Sequence, residues 1–100
     1  MQREIKLTYL KKAAKFLAKH PSVITEEQVD ALIVKFIKRK IYNLDVNIDV
    51  KQMSGAISDV YRIRKGNIRI IVTLKDNEVI IEAIVMDIGF RGDVYKKGSV

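Results

Sequence analysis

Residues 61–71, Tyr61-Arg62-Ile63-Arg64-Lys65-Gly66-Asn67-Ile68-Arg69-Ile70-Ile71, decide the fold. Two alternating, β-branched runs flank Gly66-Asn67, a dipeptide suited to a tight hairpin loop. With Gly66-Asn67 as a two-residue loop, Arg64 stands opposite Arg69 and Arg62 opposite Ile71. With Lys65-Gly66 as the loop, Arg62 stands opposite Arg69 instead. Side chains alternate with period two along a strand, so either register places Arg62, Arg64 and Arg69 on one face. A three-residue loop would separate them. Like charges repel across strands, so a face that gathers these arginines expects an anion or a carboxylate.

Working toward the C-terminus, the pattern is a meander. Asp59–Lys65 reads as a strand, Ile68–Lys75 as the next, Asp76-Asn77 as a turn and Glu78–Asp87 as a third strand. The last two strands are rich in Ile and Val, which suits central positions. A two-residue turn at Asp76-Asn77 puts Glu82 opposite Ile71 on the arginine face, where it could balance Arg62. Asp93–Lys97 can add one more short strand. Gly89 and Gly92 permit tight turns, so Arg91 and Tyr95 can swing back toward the sheet. Arginine grips phosphate in bidentate fashion, and tyrosine can stack on a base or move a proton.

Toward the N-terminus the period changes from two to 3.6. Residues 3–7 can form a short strand, and Thr8 stands where a helix cap would. Leu10, Ala13, Ala14 and Leu17 make an apolar stripe, with Lys11, Lys12, Lys15 and Lys19 largely on the other side. Pro21 ends that helix. Thr25-Glu26-Glu27-Gln28 matches a capping box. Val29, Leu32, Ile33, Phe36 and Ile37 form the stripe of a second helix, and Lys35, Lys38, Arg39 and Lys40 crowd its last turns, where cations suit the helix dipole. Residues 8–41 therefore read as an αα-hairpin. Residues 43–51 alternate apolar and polar and suit an edge strand, followed by a turn at Met53-Ser54-Gly55. The fold class is α+β, with a short N-terminal strand and an αα-hairpin packed on an antiparallel β-meander.

Composition narrows the partners. The 100 residues suit one domain, 1–100, with no linker or repeat. A net charge of +7 favours a polyanion. Residues 1–44 carry +6 of it, so the long-range field comes from the first half. The absence of cysteine excludes a disulfide scaffold and cysteine-based zinc sites, and fits a reducing cytoplasm. No apolar run is long enough for a bilayer and no signal-peptide core opens the chain, so no membrane role is expected. His20, beside Pro21 at a helix end, reads as structural. Asp45 and Asp49 read as solvent-facing, and Tyr9, Phe16, Phe36 and Tyr42 as core or near-core residues. One histidine and scattered carboxylates make no metal site, and nothing calls for a cofactor. The lysines of the first helix are either a solvated face or contacts for the phosphates of a nucleic acid.

Motifs in the second half carry a family resemblance. The 61–71 run resembles the Y-R-x-R-x-G-x-Y-R-h-h strand pair (h, hydrophobic) of the RelE/ParE superfamily of bacterial toxins. Gly89-Phe90-Arg91-Gly92-Asp93-Val94-Tyr95 resembles its closing G-(H/K)-R-x-x-V-Y motif, and Lys51-Gln52-Met53-Ser54-Gly55 its K-x-L-x-G turn. With the helical hairpin in front, the resemblance spans nearly the whole chain in the expected order. It implies a small α+β sandwich. RelE-type members are toxins of toxin–antitoxin operons that cut mRNA on the ribosome. ParE-type members share the fold, poison DNA gyrase and leave RNA intact. Both are neutralised by an antitoxin whose C-terminal segment wraps the toxin, and the antitoxin usually also binds operator DNA. By the resemblance, Arg69 and Arg91 match the arginines that hold the scissile phosphate. Arg62 and Arg64 match a basic pair near the attacking hydroxyl. Tyr95 matches the closing tyrosine, implicated in stacking or proton transfer. Phe90 stands where His or Lys is frequent, and Arg62 and Arg64 stand where some RNA-cutting members have lysines.

Metal-free RNA cleavage needs a base for the 2′-hydroxyl, positive charge on the developing phosphorane and an acid for the leaving oxygen. The arginines supply the charge. They are poor bases, being essentially always protonated, so Tyr95 is the leading proton-transfer residue and Glu82 a lesser one. The expectation is a toxin acting as a ribosome-dependent mRNA endonuclease without a cofactor. The alternatives are a ParE-like gyrase inhibitor of the same fold and a non-catalytic RNA-binding domain.

Overall fold

The computed structural model describes residues 3–53 and 59–91. Its elements are β1 (Glu4–Tyr9), α1 (Lys11–Lys19), α2 (Glu26–Lys40), β2 (Asp49–Gln52), β3 (Val60–Lys65), β4 (Ile68–Asp76) and β5 (Ile80–Phe90). The strands form one five-stranded sheet in the order β1-β5-β4-β3-β2. β2 through β5 are antiparallel neighbours, as the meander requires. β1 lies parallel to β5, so the sheet is mixed rather than wholly antiparallel. The chain leaves β1 through helices, so no tight hairpin fixes its direction.

β4 sits in the middle, and its run Ile68–Leu74 is buried but for Thr73. One face of the sheet presents Ile63, Ile70, Val72, Leu74, Ile81, Ala83, Val85 and Ile88 to Ala13, Ile24, Val29, Ile33, Phe36 and Ile37 of the helical layer. Phe36 is the largest fully buried side chain, and its ring lies 4.9 Å from that of Tyr61. Truncating such a residue to alanine costs about 3–5 kcal/mol. The opposite face carries the arginines.

Local chemistry explains the element ends. The capping box at Thr25 forms as its residue types dictate: Thr25 Oγ1 accepts from the Gln28 amide at 3.2 Å, and Gln28 Oε1 accepts from the Thr25 amide at 3.0 Å. Thr8, by contrast, does not cap α1. It belongs to β1 and donates its hydroxyl to Glu82 at 3.1 Å, leaving Leu10 at the N-cap with no side-chain bond. Of the extended 43–51 segment, only Asp49 onward joins the ladder. Arg39 Nη1 donates instead to the carbonyls of Val46 at 3.3 Å and Ile48 at 3.5 Å. The Met53 turn and the extra strand at 93–97 involve residues outside the described ones.

The β3–β4 hairpin adopts the first of the two registers, with Lys65 opposite Ile68 and Arg64 opposite Arg69. Gly66 takes φ of +58° at the first loop position, a conformation glycine adopts without steric cost. The β4–β5 connection is longer than its Asp76-Asn77 signal implies. Asn77 Oδ1 accepts from the amides of both Val79 and Ile80 at 2.8 Å, so the strand begins at Ile80 and Asp76 pairs with Ile81. A β-bulge then follows in β5: Ile71 faces Asp87 while Val72 faces Val85, leaving Met86 as the extra residue.

Candidate nucleic-acid interface

Register places Arg62, Arg64 and Arg69 on one face of the sheet, away from the helices. Two adjacent rows run across that face. The first is Asp49, Arg64, Arg69 and Gly89; the second is Lys51, Arg62, Ile71 and Asp87. Beside them the face carries a small apolar cluster of Val60 and Ile71 with Met53 and Met86.

The three arginines are held differently. Arg64 Nε lies 3.2 Å from Asp49 Oδ2, and Arg62 Nη2 lies 3.6 Å from Asp49 Oδ1. One carboxylate from the edge strand thus stands against two guanidinium groups. Asp49 is not a bystander in solvent but the counter-charge that sequence reasoning assigned to Glu82. Glu82 pairs with Lys75, because the longer β4–β5 connection shifts the register. Its carboxylate takes the Thr8 hydroxyl and lies 3.9 Å from Lys6 Nζ, at the β1 side of the sheet.

Arg69 is 3% exposed. Its Nη1 donates to the carbonyls of Gly66 at 3.1 Å and Ile68 at 3.2 Å, while Nε has no acceptor among the described residues. No carboxylate pairs with it among those residues. A guanidinium cannot discharge by losing its proton, so burial against neutral carbonyls leaves a positive charge poorly compensated. Its neighbour in the row, Gly89, contributes no side chain.

Arg91 is exposed and follows β5 directly. Its amide donates to the Asn67 carbonyl at 2.9 Å, which ties the end of β5 to the β3–β4 loop. Arg91 thus stands in a turn one residue past the end of β5. Tyr95 lies outside the described residues. Phe90 has the opposite parity and packs with the helices: its ring is 5.3 Å from Phe16 and 5.2 Å from His20, which is itself 4.5 Å from Phe16. His20 is therefore part of an aromatic cluster at the end of α1.

On the helical side Tyr9 donates its hydroxyl to Asp30 of α2. Burial raises the Tyr9 pKa, and the hydrogen bond and charge of Asp30 raise it further. This phenol is a structural tie between β1 and α2. Among the described residues no cluster of His, Cys, Asp and Glu can hold a metal, and no helix is long and apolar enough to cross a membrane.

No protein-family model and no curated protein matches the chain. Solved structures do. The RelB–RelE antitoxin–toxin complex from Methanococcus jannaschii is 20% identical, with a TM-score of 0.51 over 90% of this chain and 96% of that one. The DinJ–YafQ complex from E. coli is 10% identical, with a TM-score of 0.62 over 94% and 99%. The YoeB/ParE toxin from Agrobacterium tumefaciens is 11% identical, with a TM-score of 0.60 over 86% and 98%. The chain has the RelE-like fold, and these structural neighbours are toxins of toxin–antitoxin systems.

Proposed function

We propose that this chain is the toxin of a toxin–antitoxin pair and cuts mRNA on the ribosome. The observation that carries the reading is Arg69: a permanently charged side chain, 3% exposed, beside Arg64 and without a carboxylate among the described residues. A scissile phosphate supplies the missing anion. Arg69 and Arg91 hold it and stabilise the charge that builds on its oxygens during attack by the neighbouring 2′-hydroxyl. Arg62 and Arg64 border the attacking ribose. Tyr95 stacks on a base or transfers a proton. The chemistry needs no cofactor.

Apart from Lys12, which reaches Asp87, the exposed lysines of α1 and α2 lie on the other layer, where they can meet rRNA phosphates while the sheet faces mRNA. Toxin–antitoxin complexes among the structural neighbours support a cognate antitoxin as the resting partner, and the pair can bind operator DNA through that antitoxin. The whole chain, 1–100, acts as one domain in the cytoplasm. Induced expression with mapping of mRNA 5′ ends tests the activity. Cuts should appear at codon-associated positions in translated transcripts and vanish for Arg69→Ala and Arg91→Ala.

A second reading keeps the fold and drops the cleavage. It is favoured by the position of Phe90, which offers no titratable group and points to the helical layer. In that case the chain inhibits DNA gyrase, or binds RNA without cutting it. Intact transcripts with DNA-damage signalling would establish the gyrase activity. Intact transcripts, no growth arrest and salt-sensitive RNA binding would establish the non-catalytic one.

A further inference from the structure

We infer that Asp87 is the general base of the cleavage reaction, an inference that rests on the nuclease reading above. Counted from Val85, whose side chain is in the core, simple alternation would put Asp87 in the core as well. The bulge at Met86 reverses the parity. Asp87 lands opposite Ile71, in the row of Arg62, while Ile88 returns to the core. Bulges often re-aim a side chain next to an active site.

The surroundings of Asp87 suit the role. It precedes Gly89 by two residues, so it is the diagonal neighbour of Arg69 across the β4–β5 pair, at roughly 7–8 Å between backbones. The Asp87 side chain is 18% exposed, and Lys12 Nζ lies 3.9 Å from its Oδ2. Two other carboxylates of this face are engaged elsewhere. Asp49 is held by Arg62 and Arg64, and Glu82 is bound to Thr8 near β1. The arginines themselves cannot accept a proton.

In the step, an Asp87 carboxylate oxygen takes the proton of the 2′-hydroxyl. The 2′-oxygen forms a bond to phosphorus, and the bond from phosphorus to the 5′-oxygen breaks. The departing 5′-oxygen keeps the electron pair and takes a proton from water. The products are a 2′,3′-cyclic phosphate and a 5′-hydroxyl, and Asp87 returns its proton to solvent. No oxidant or metal enters the balance.

The test is single-turnover cleavage of a defined mRNA on purified, programmed ribosomes, with ribosome binding measured in parallel. Asp87→Asn keeps the shape and removes the base. It should cut at least about 100-fold more slowly than wild type while binding ribosomes within about twofold. Asp87→Glu, which restores a carboxylate, should recover a substantial part of the rate. Cleavage by Asp87→Asn within about threefold of wild type overturns the assignment and leaves the nuclease reading intact. So does a loss of binding that accounts for the loss of cutting, or an Asp87→Glu variant as slow as Asp87→Asn. A wild-type chain that cuts nothing in this assay overturns both.

Discussion

Arg64 and Arg69 stand directly opposite each other across the β3–β4 hairpin, yet their guanidinium groups meet different partners. Arg64 reaches outward to Asp49 at 3.2 Å, whereas Arg69 folds onto the carbonyls of its own hairpin and is buried. Among the described residues, one arginine meets a carboxylate and the other does not. That difference shapes what each substitution should do.

In the proposed reading, Asp49 stands where it would compete with phosphate for Arg62 and Arg64. Asp49→Asn should therefore tighten binding of a 2′-O-methyl RNA severalfold, with a steeper loss of affinity as salt rises. Fluorescence anisotropy across a salt series checks both. Unchanged affinity would mean that Arg62 and Arg64 make no phosphate contact.

Arg69 should trade stability for function. Replacing an uncompensated buried charge by an apolar chain of similar reach relieves desolvation. Arg69→Met is expected to stabilise the fold by on the order of 1–2 kcal/mol, raising Tm by several degrees in a domain of this size. The same variant should lose growth arrest. Thermal melting and an induction assay on one protein test the pair of outcomes.

Tyr9 predicts an alkaline limit on stability. Its pKa is raised in the folded protein above the ordinary phenol value of about 10. The folded state thus holds the phenolic proton more tightly than the unfolded chain does. The stabilisation is complete below about pH 10 and is lost progressively as pH climbs from there toward the folded-state pKa. Denaturant melts of wild type and Tyr9→Phe between pH 8 and 11 should differ by a constant amount up to about pH 10, and wild type should lose stability relative to Tyr9→Phe above it.

Phe90 occupies the His/Lys position of the closing motif the chain resembles, but its ring is turned toward Phe16 and His20. Phe90→His should weaken this cluster by about 1–2 kcal/mol and leave the cleavage rate unimproved. Melting curves together with ribosomal cleavage check it. A rate gain would place that side chain at the chemistry.

Much of this arrangement was legible in the residues. The Gly66-Asn67 turn and period-two alternation fixed the shared face of Arg62, Arg64 and Arg69, and Thr25 with Gln28 fixed the start of α2. What escaped was set by longer-range geometry. The parallel seat of β1 depends on packing beside β5, with no turn to announce it. The Asn77 side chain lengthened a connection whose composition suited a shorter one, and Glu82 moved from Ile71 to Lys75 in consequence. The Met86 bulge has no composition signal, and without it Asp87 could not be placed beside Arg62. Asp49 read as solvated because acids in an alternating extended run usually face water; only the β2–β3 register reveals the cations it faces.

The most direct test is a structure of the chain on a ribosome programmed with mRNA that carries a 2′-O-methyl group at the cleavage position. The account predicts the arginine face of the sheet against the mRNA, with one backbone phosphate in contact with Arg69 and Arg91 and the helices turned toward rRNA. An mRNA strand lying along the helices, with Arg69 still folded onto Gly66 and Ile68 and far from any phosphate, would contradict it.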